Sequence, residues 1–117
     1  MIHIDIYIIL CFMTPSQRKQ PLLRGIDPEL LTRAADTIRV LGHPDRLKIV
    51  EVLEAKDASV TEIQEKVGLS LPIVSQHLAR LRAHGIVEST REGQHVIYCL
   101  IEPKVEHILR CIRTCDL

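Results

Sequence analysis

Two groups of residues in this 117-residue sequence have types and spacings suited to chemistry. The first is built on sulfur. Cys111 and Cys115 stand four positions apart and His107 stands four before Cys111, so on a helix the three line one edge, with the thiols one turn apart and their Cβ atoms roughly 6 Å from each other. Thiols at that spacing can share one thiophilic metal or metalloid ion. Thiolates favour zinc, cadmium, copper(I) or trivalent arsenic over hard cations, and a third ligand can come from Cys99, His107 or a second chain. The same thiols can instead be oxidised or persulfidated, or serve as small apolar packing residues. The second group is Ser75, Gln76, Ala79, Arg80 and Ala83. At about 100° per residue these fall on the side of a helix opposite Leu71, Val74, Leu78 and Leu81. A small, polar outward face lets a helix approach the floor of the major groove, where Ser and Gln can hydrogen-bond base edges and Arg80 can reach guanine or phosphate. A helix merely packed in a core would show Lys and Glu on its solvent face instead. His77, near the edge of the apolar side, reads as a helix-locking residue ahead of a base reader, and Arg91, Gln94 and His95 sit where a hairpin tip can touch phosphates or the minor groove.

Composition narrows what these groups can serve. With 46% hydrophobic and 26% charged residues the chain has the make-up of one globular domain, and with no Trp, one Phe and two Tyr it has no aromatic platform for stacking bases. Fifteen basic and fifteen acidic residues cancel, so nucleic-acid binding has to come from a local patch. Between positions 70 and 91 Arg80, Arg82 and Arg91 face a single acid, Glu88. Four cysteines, Cys11, Cys99, Cys111 and Cys115, are too few and too uneven for a disulfide framework and suit the reduced thiols of a cytoplasmic protein. An enzyme reading finds no phosphate loop and no paired-carboxylate pocket. Thiol oxidoreductases place their cysteines at a helix N-terminus, whereas Cys111 and Cys115 fall at a C-terminal end, where the dipole raises a thiol pKa. The apolar run at residues 2–13 is too short to span a bilayer. It is either a strand-like extension or sequence ahead of a true start at Met13.

The elements that must position these residues follow from periodicity and punctuation. Residues 1–26 form an N-terminal extension and basic arm with Arg18, Lys19 and Arg24, and residues 27–117 form the folded domain. Asp27 and Pro28 open a first helix to Leu41, and His43-Pro44 opens a second to about Ala55. Thr61 with Gln64 reads as a capping box for a short helix over 62–67, which Gly68 ends. Ser70 caps a fourth helix, ended by Gly85. The period then becomes extended: 86–91 and 94–100 form a hairpin about the loop Glu92-Gly93, and Pro103 opens a last helix striped by Val105, Ile108, Leu109 and Ile112. The fold class is thus mainly α with a small β-hairpin, a winged helix-turn-helix.

The stretch Leu41-Gly42-His43-Pro44-Asp45-Arg46-Leu47, then Leu69-Ser70 through Val74-Ser75-Gln76-His77-Leu78, and Gly85-Ile86-Val87 through Arg91-Glu92-Gly93 to Tyr98, resembles the arsenic-repressor (ArsR/SmtB-type) family of bacterial transcriptional regulators. The resemblance covers the chain from about Asp27 onward. It implies a homodimer, paired through the first and last helices, that represses an operon from double-stranded operator DNA until an inducer lowers its affinity. The apolar stripes on those two helices exceed what so small a core needs, which agrees. Family members that bind zinc through the last helix carry an acid and a His near its start and two His near its end; here Glu102 and Cys115 fall at ligand positions and Lys104 replaces the first His. Members that sense through cysteine in the second helix differ too, since residues 47–53 contain none. The resemblance therefore directs attention to a thiol site on the last helix, to which the N-terminal arm can contribute. The remaining alternative is a winged helix that binds protein rather than DNA, which acids or bulky apolar residues on the outward face would favour.

Overall fold

Helices that begin on proline lose nothing by its missing N–H, because the first turn has no acceptor for it. Prolines mark three of the starts in the computed structural model, which describes residues 25–115: α1 Pro28–Leu41, α2 Pro44–Ala55, β1 Ala58–Ser59, α3 Val60–Val67, α4 Leu71–Ala83, β2 Val87–Glu92, β3 His95–Leu100 and α5 Pro103–Thr114. The apolar run at 2–13, Cys11 and the basic arm through Arg24 lie outside the described residues.

The chain divides into two units, residues 1–36 and 37–117. In the first, Asp27 caps α1 as expected, its Oδ1 accepting from the Glu29 N–H at 3.1 Å. The second is held by one apolar cluster: Ile49, Val50 and Leu53 of α2, Ile63 of α3, Val74, Leu78 and Leu81 of α4, Ile86 and Val87 at the start of the wing, and Val105 and Leu109 of α5. Burying a side chain of this size contributes roughly 1.5–3 kcal/mol relative to leaving it in water. The expected second helix, buried on more than one side, is thus found in α2. Leu71 departs from the expected apolar side of α4, being 44% exposed at the helix's first position.

Three expectations are corrected. The capping box of α3 is Ser59 with Glu62, not Thr61 with Gln64: Ser59 Oγ accepts from the Glu62 N–H at 3.2 Å and Glu62 Oε1 from the Ser59 N–H at 3.1 Å. The reason is β1, a two-residue strand that the local sequence does not advertise. Ala58 pairs with Tyr98 and Ser59 with Ile97, which holds Ser59 extended and lets the helix begin at Val60. The hairpin is shifted by one residue, for Glu92 pairs with His95 and the two-residue turn is Gly93-Gln94, with Gly93 at the positive φ of 64° that turn requires. Ser70 stands at the N-cap of α4, yet its hydroxyl makes no capping hydrogen bond. Among the described residues the sheet is antiparallel and three-stranded, in the order β1-β3-β2.

Candidate nucleic-acid interface

The turn between α3 and α4 is set by Gly68, whose φ of 74° ends α3 in the left-handed region and passes the chain to Ser70. α4 then buries Val74, Leu78 and Leu81, which leaves Ser75, Gln76, Ala79, Arg80 and Ala83 exposed together on the opposite side, with Arg82 exposed beside them. The wing follows at once. Ile86 donates its N–H to the Leu81 carbonyl at 3.0 Å and accepts from the Ile101 N–H at 2.9 Å, tying the end of α4 to both ends of the hairpin. Arg91, Gln94 and His95 are exposed at and beside the tip, and β1 fixes β3 to the start of α3. The presented helix and the wing are therefore held to one another by backbone pairing.

His77 points the other way. Its side chain is 14% exposed, with Nε2 3.8 Å from Asp45 Oδ2 and its ring centroid 4.7 Å from that of His43. His43 is the N-cap of α2, its Nδ1 accepting from the Asp45 N–H at 3.1 Å. Burial pushes the His77 pKa below its usual value, the charges of His43 and Arg46 lower it further, and Asp45 opposes them. The ring is thus placed to lock α4 against the start of α2, out of line with Gln76 and Arg80. Sequence reasoning did not single out His43 and Asp45 as its partners. The sign available was the His-Pro-Asp order, in which His43 is left to cap a helix that Pro44 begins.

The sulfur residues are only partly gathered. Cys111 and Cys115 are exposed free thiols on the last helix, though Cys115 is the C-cap with extended backbone, so the helical line from His107 ends at Thr114. His107 is exposed. Cys99 lies half-buried on β3, its thiol donating to Glu88 Oε1 at 3.9 Å, and burial together with the Glu88 and Asp57 carboxylates raises its pKa, which disfavours the thiolate a metal needs. Among the described residues no trio that includes a cysteine brings its ligand atoms within 4.8 Å; only His43, Asp45 and His77 do. Glu102, at the acid position of the zinc pattern, caps α5 by accepting from the Lys104 N–H at 3.1 Å. Cys111 also lines an apolar groove of about 310 Å³ with Ile38, Leu41, Leu47, Ile108 and Ile112. At the same end of α5, Arg113 donates to Glu54 at 2.6 Å and lies 4.0 Å from Glu51, pinning the helix to α2.

This geometry has close counterparts. The family model described as bacterial regulatory protein, arsR family, matches residues 43–89, from the cap of α2 into the wing. A biofilm growth-associated repressor of Xylella fastidiosa is 35% identical over 80 residues, 68% of this chain and 70% of that protein. An HTH-type transcriptional repressor SmtB of Mycobacterium tuberculosis is 36% identical over 81 residues, 69% of this chain and 60% of the other. The crystal structure of NolR from Sinorhizobium fredii superposes with a TM-score of 0.67 at 31% identity, covering 77% of this chain and 93% of that one.

Proposed function

The chain belongs to the ArsR family of bacterial transcriptional regulators, and on that premise we propose that it is a homodimeric repressor released from its operator by a thiol-reactive inducer. It is a DNA-binding regulator of winged helix-turn-helix type rather than an enzyme. The observation that carries the DNA-binding reading is the outward side of α4, where Ser75, Gln76, Ala79 and Arg80 stand exposed over buried Val74, Leu78 and Leu81. Side chains that small allow the helix backbone close to the bases, and Arg80, Arg82 and Arg91 give the surface its positive sign. No acid occupies that side, and its bulky apolar member, Ile73, is 42% exposed at the edge beside Arg80; the rest of the surface is small, polar or basic, which favours DNA over a protein partner.

Dimerisation through α1 and α5 is supported by apolar side chains in water on both: Leu30, Leu31 and Ile38 on the first and Ile112 on the second are all more than a third exposed. A two-fold pair of reading helices suits a palindrome. Cys111 borders the groove those helices form, so an ion held by Cys111 and Cys115, completed by His107 or by a second copy, would alter the very surface on which copies pair. Arsenite, cadmium and zinc are the proposed inducers. Two exposed free thiols, one in the last turn of α5 and one at its C-cap, suit oxidation or persulfidation as well, which is the second reading. The proposed setting is the cytoplasm, where thiols stay reduced. No helix among the described residues is long and apolar enough to cross a membrane.

The test is fluorescence anisotropy of the reduced protein on its own promoter DNA, titrated with arsenite, cadmium, zinc and an organic persulfide in turn. Release by one of them, lost when Cys111 and Cys115 are both replaced by Ser while DNA binding persists, is the expected result. Release that survives the double replacement would remove these thiols from the mechanism.

A further inference from the structure

One set of ligand-type side chains has no part in reading DNA or in the thiol chemistry. We propose that His43, Asp45 and His77 form a binding site for a divalent transition-metal ion of the zinc class, clamping the N-terminus of α2 to the inner side of α4. Their ligand atoms lie within 4.8 Å of one another, and Asp45 Oδ2 is the centre of the group, 4.0 Å from His43 Nδ1 and 3.8 Å from His77 Nε2. Nitrogen and carboxylate ligands hold zinc at about 2.0–2.2 Å, which in a tetrahedron sets ligand atoms roughly 3.3 Å apart. Closures of about 0.5 Å for His77 and about 0.7 Å for His43 toward Asp45, and of up to about 1.5 Å between the two imidazoles, would bring the group to that spacing by side-chain rotation.

Two imidazoles and one carboxylate select zinc, cobalt or nickel over magnesium or calcium, which prefer oxygen throughout. The His43 and Asp45 side chains are 40% and 25% exposed, so an ion can enter from solvent and keep water at its fourth position, while the 14%-exposed His77 supplies the fixed inner ligand. Ligation through His43 Nδ1 takes over the lone pair that accepts from the Asp45 N–H, so the ion replaces the helix cap at that point. It binds behind Ser75 and Gln76, the residues of α4 that face outward just before His77. The site therefore joins the helix that presents base-reading groups to the helix beneath it, independently of the cysteines.

The experiment is a cobalt(II) titration of the full chain with Cys11, Cys99, Cys111 and Cys115 all replaced by Ser, followed by absorption and back-titrated with zinc. The expected result is one equivalent of cobalt with ligand-field bands and no thiolate-to-metal charge transfer, displaced by zinc, and a melting temperature that rises with metal. His43→Asn, which keeps a capping oxygen but removes the imidazole, and Asp45→Asn should each weaken binding at least tenfold with little change in the metal-free melting temperature. If circular dichroism shows the thiol-free chain unfolded, the titration is read on the wild-type chain as the part of the ligand-field spectrum that His43→Asn removes. Absence of ligand-field bands, or bands indifferent to both His43→Asn and Asp45→Asn, would overturn the assignment.

Discussion

Replacing Arg91 by Ala takes one positive charge from the exposed face of β2, one register pair from the hairpin tip, without touching the buried cluster. If that guanidinium lies on a phosphate, each lost contact flattens the slope of log K against log salt by about 0.9 on duplex DNA. Two wings on a palindrome lose two contacts, so the slope falls by about 1.8. Between 50 and 200 mM salt the wild-type protein should then lose about twelve-fold more affinity than the variant, and only about 3.5-fold more if a single wing engages. Anisotropy titrations on the operator and on a scrambled duplex at several salt concentrations give both slopes. The change should be equal on the two sequences, because phosphates carry no sequence information. Arg80→Ala is the internal contrast: a base contact from α4 is worth about 1–3 kcal/mol of discrimination, so for each half-site its loss should fall on the operator by about 5- to 150-fold more than on the scrambled duplex. An Arg91→Ala variant with the wild-type salt slope would refute the docking of the wing on the backbone.

Three further outcomes follow from the packing and the caps. Leu78 is fully buried while Leu71 is 44% exposed, so Leu78→Ala should cost about 2–5 kcal/mol in urea unfolding and Leu71→Ala no more than about 0.5 kcal/mol; equal losses would contradict the orientation of α4. Ser59→Ala should cost about 0.5–2 kcal/mol while Thr61→Ala leaves stability nearly unchanged, and the reverse order in thermal melts would restore the capping box at Thr61. The depressed pKa of His77 means that the unfolded chain takes up a proton before the folded one does as pH falls below about 6.5. Its contribution to stability is therefore whole above that pH and lost below it, so the melting temperature of wild type should drop more steeply between pH 7.5 and 5 than that of His77→Gln, and parallel profiles would count against the buried neutral ring.

What was legible in the sequence was what local rules decide. Pro28, Pro44 and Pro103 at helix starts, Gly68 at a helix end and the stripe through Val74, Leu78 and Leu81 are read from neighbours a few positions away, and the elements formed there. The errors arose where distant pairing decided between equal local signals. Ser59 with Glu62 and Thr61 with Gln64 both satisfy the capping-box spacing, and only the pairing of Ala58 and Ser59 with Tyr98 and Ile97, from the far side of the helix-turn-helix, selects the first. The hairpin slip has a similar origin, since Glu92-Gly93 and Gly93-Gln94 both offer a glycine turn and cross-strand pairing chooses the second. At the candidate sites, the outward side of α4 was readable as helical geometry, whereas the helical spacing expected for Cys111 and Cys115 fails because the helix ends at Thr114 and Cys115 is extended. The coming together of His43, Asp45 and His77 was not readable, because it joins the starts and faces of two helices separated by a third. Nor could spacing show that Cys99 faces Glu88 across the hairpin.

Among the described residues the sheet order β1-β3-β2 leaves two outer edges, one short and one charged. The β1 edge is two residues long. The β2 edge carries Glu88, Arg91 and Glu92 in water, charges that a strand laid alongside would have to desolvate. Among the described residues the sheet ends at three strands, and wings brought side by side on DNA meet one another only through edges that are short or charged.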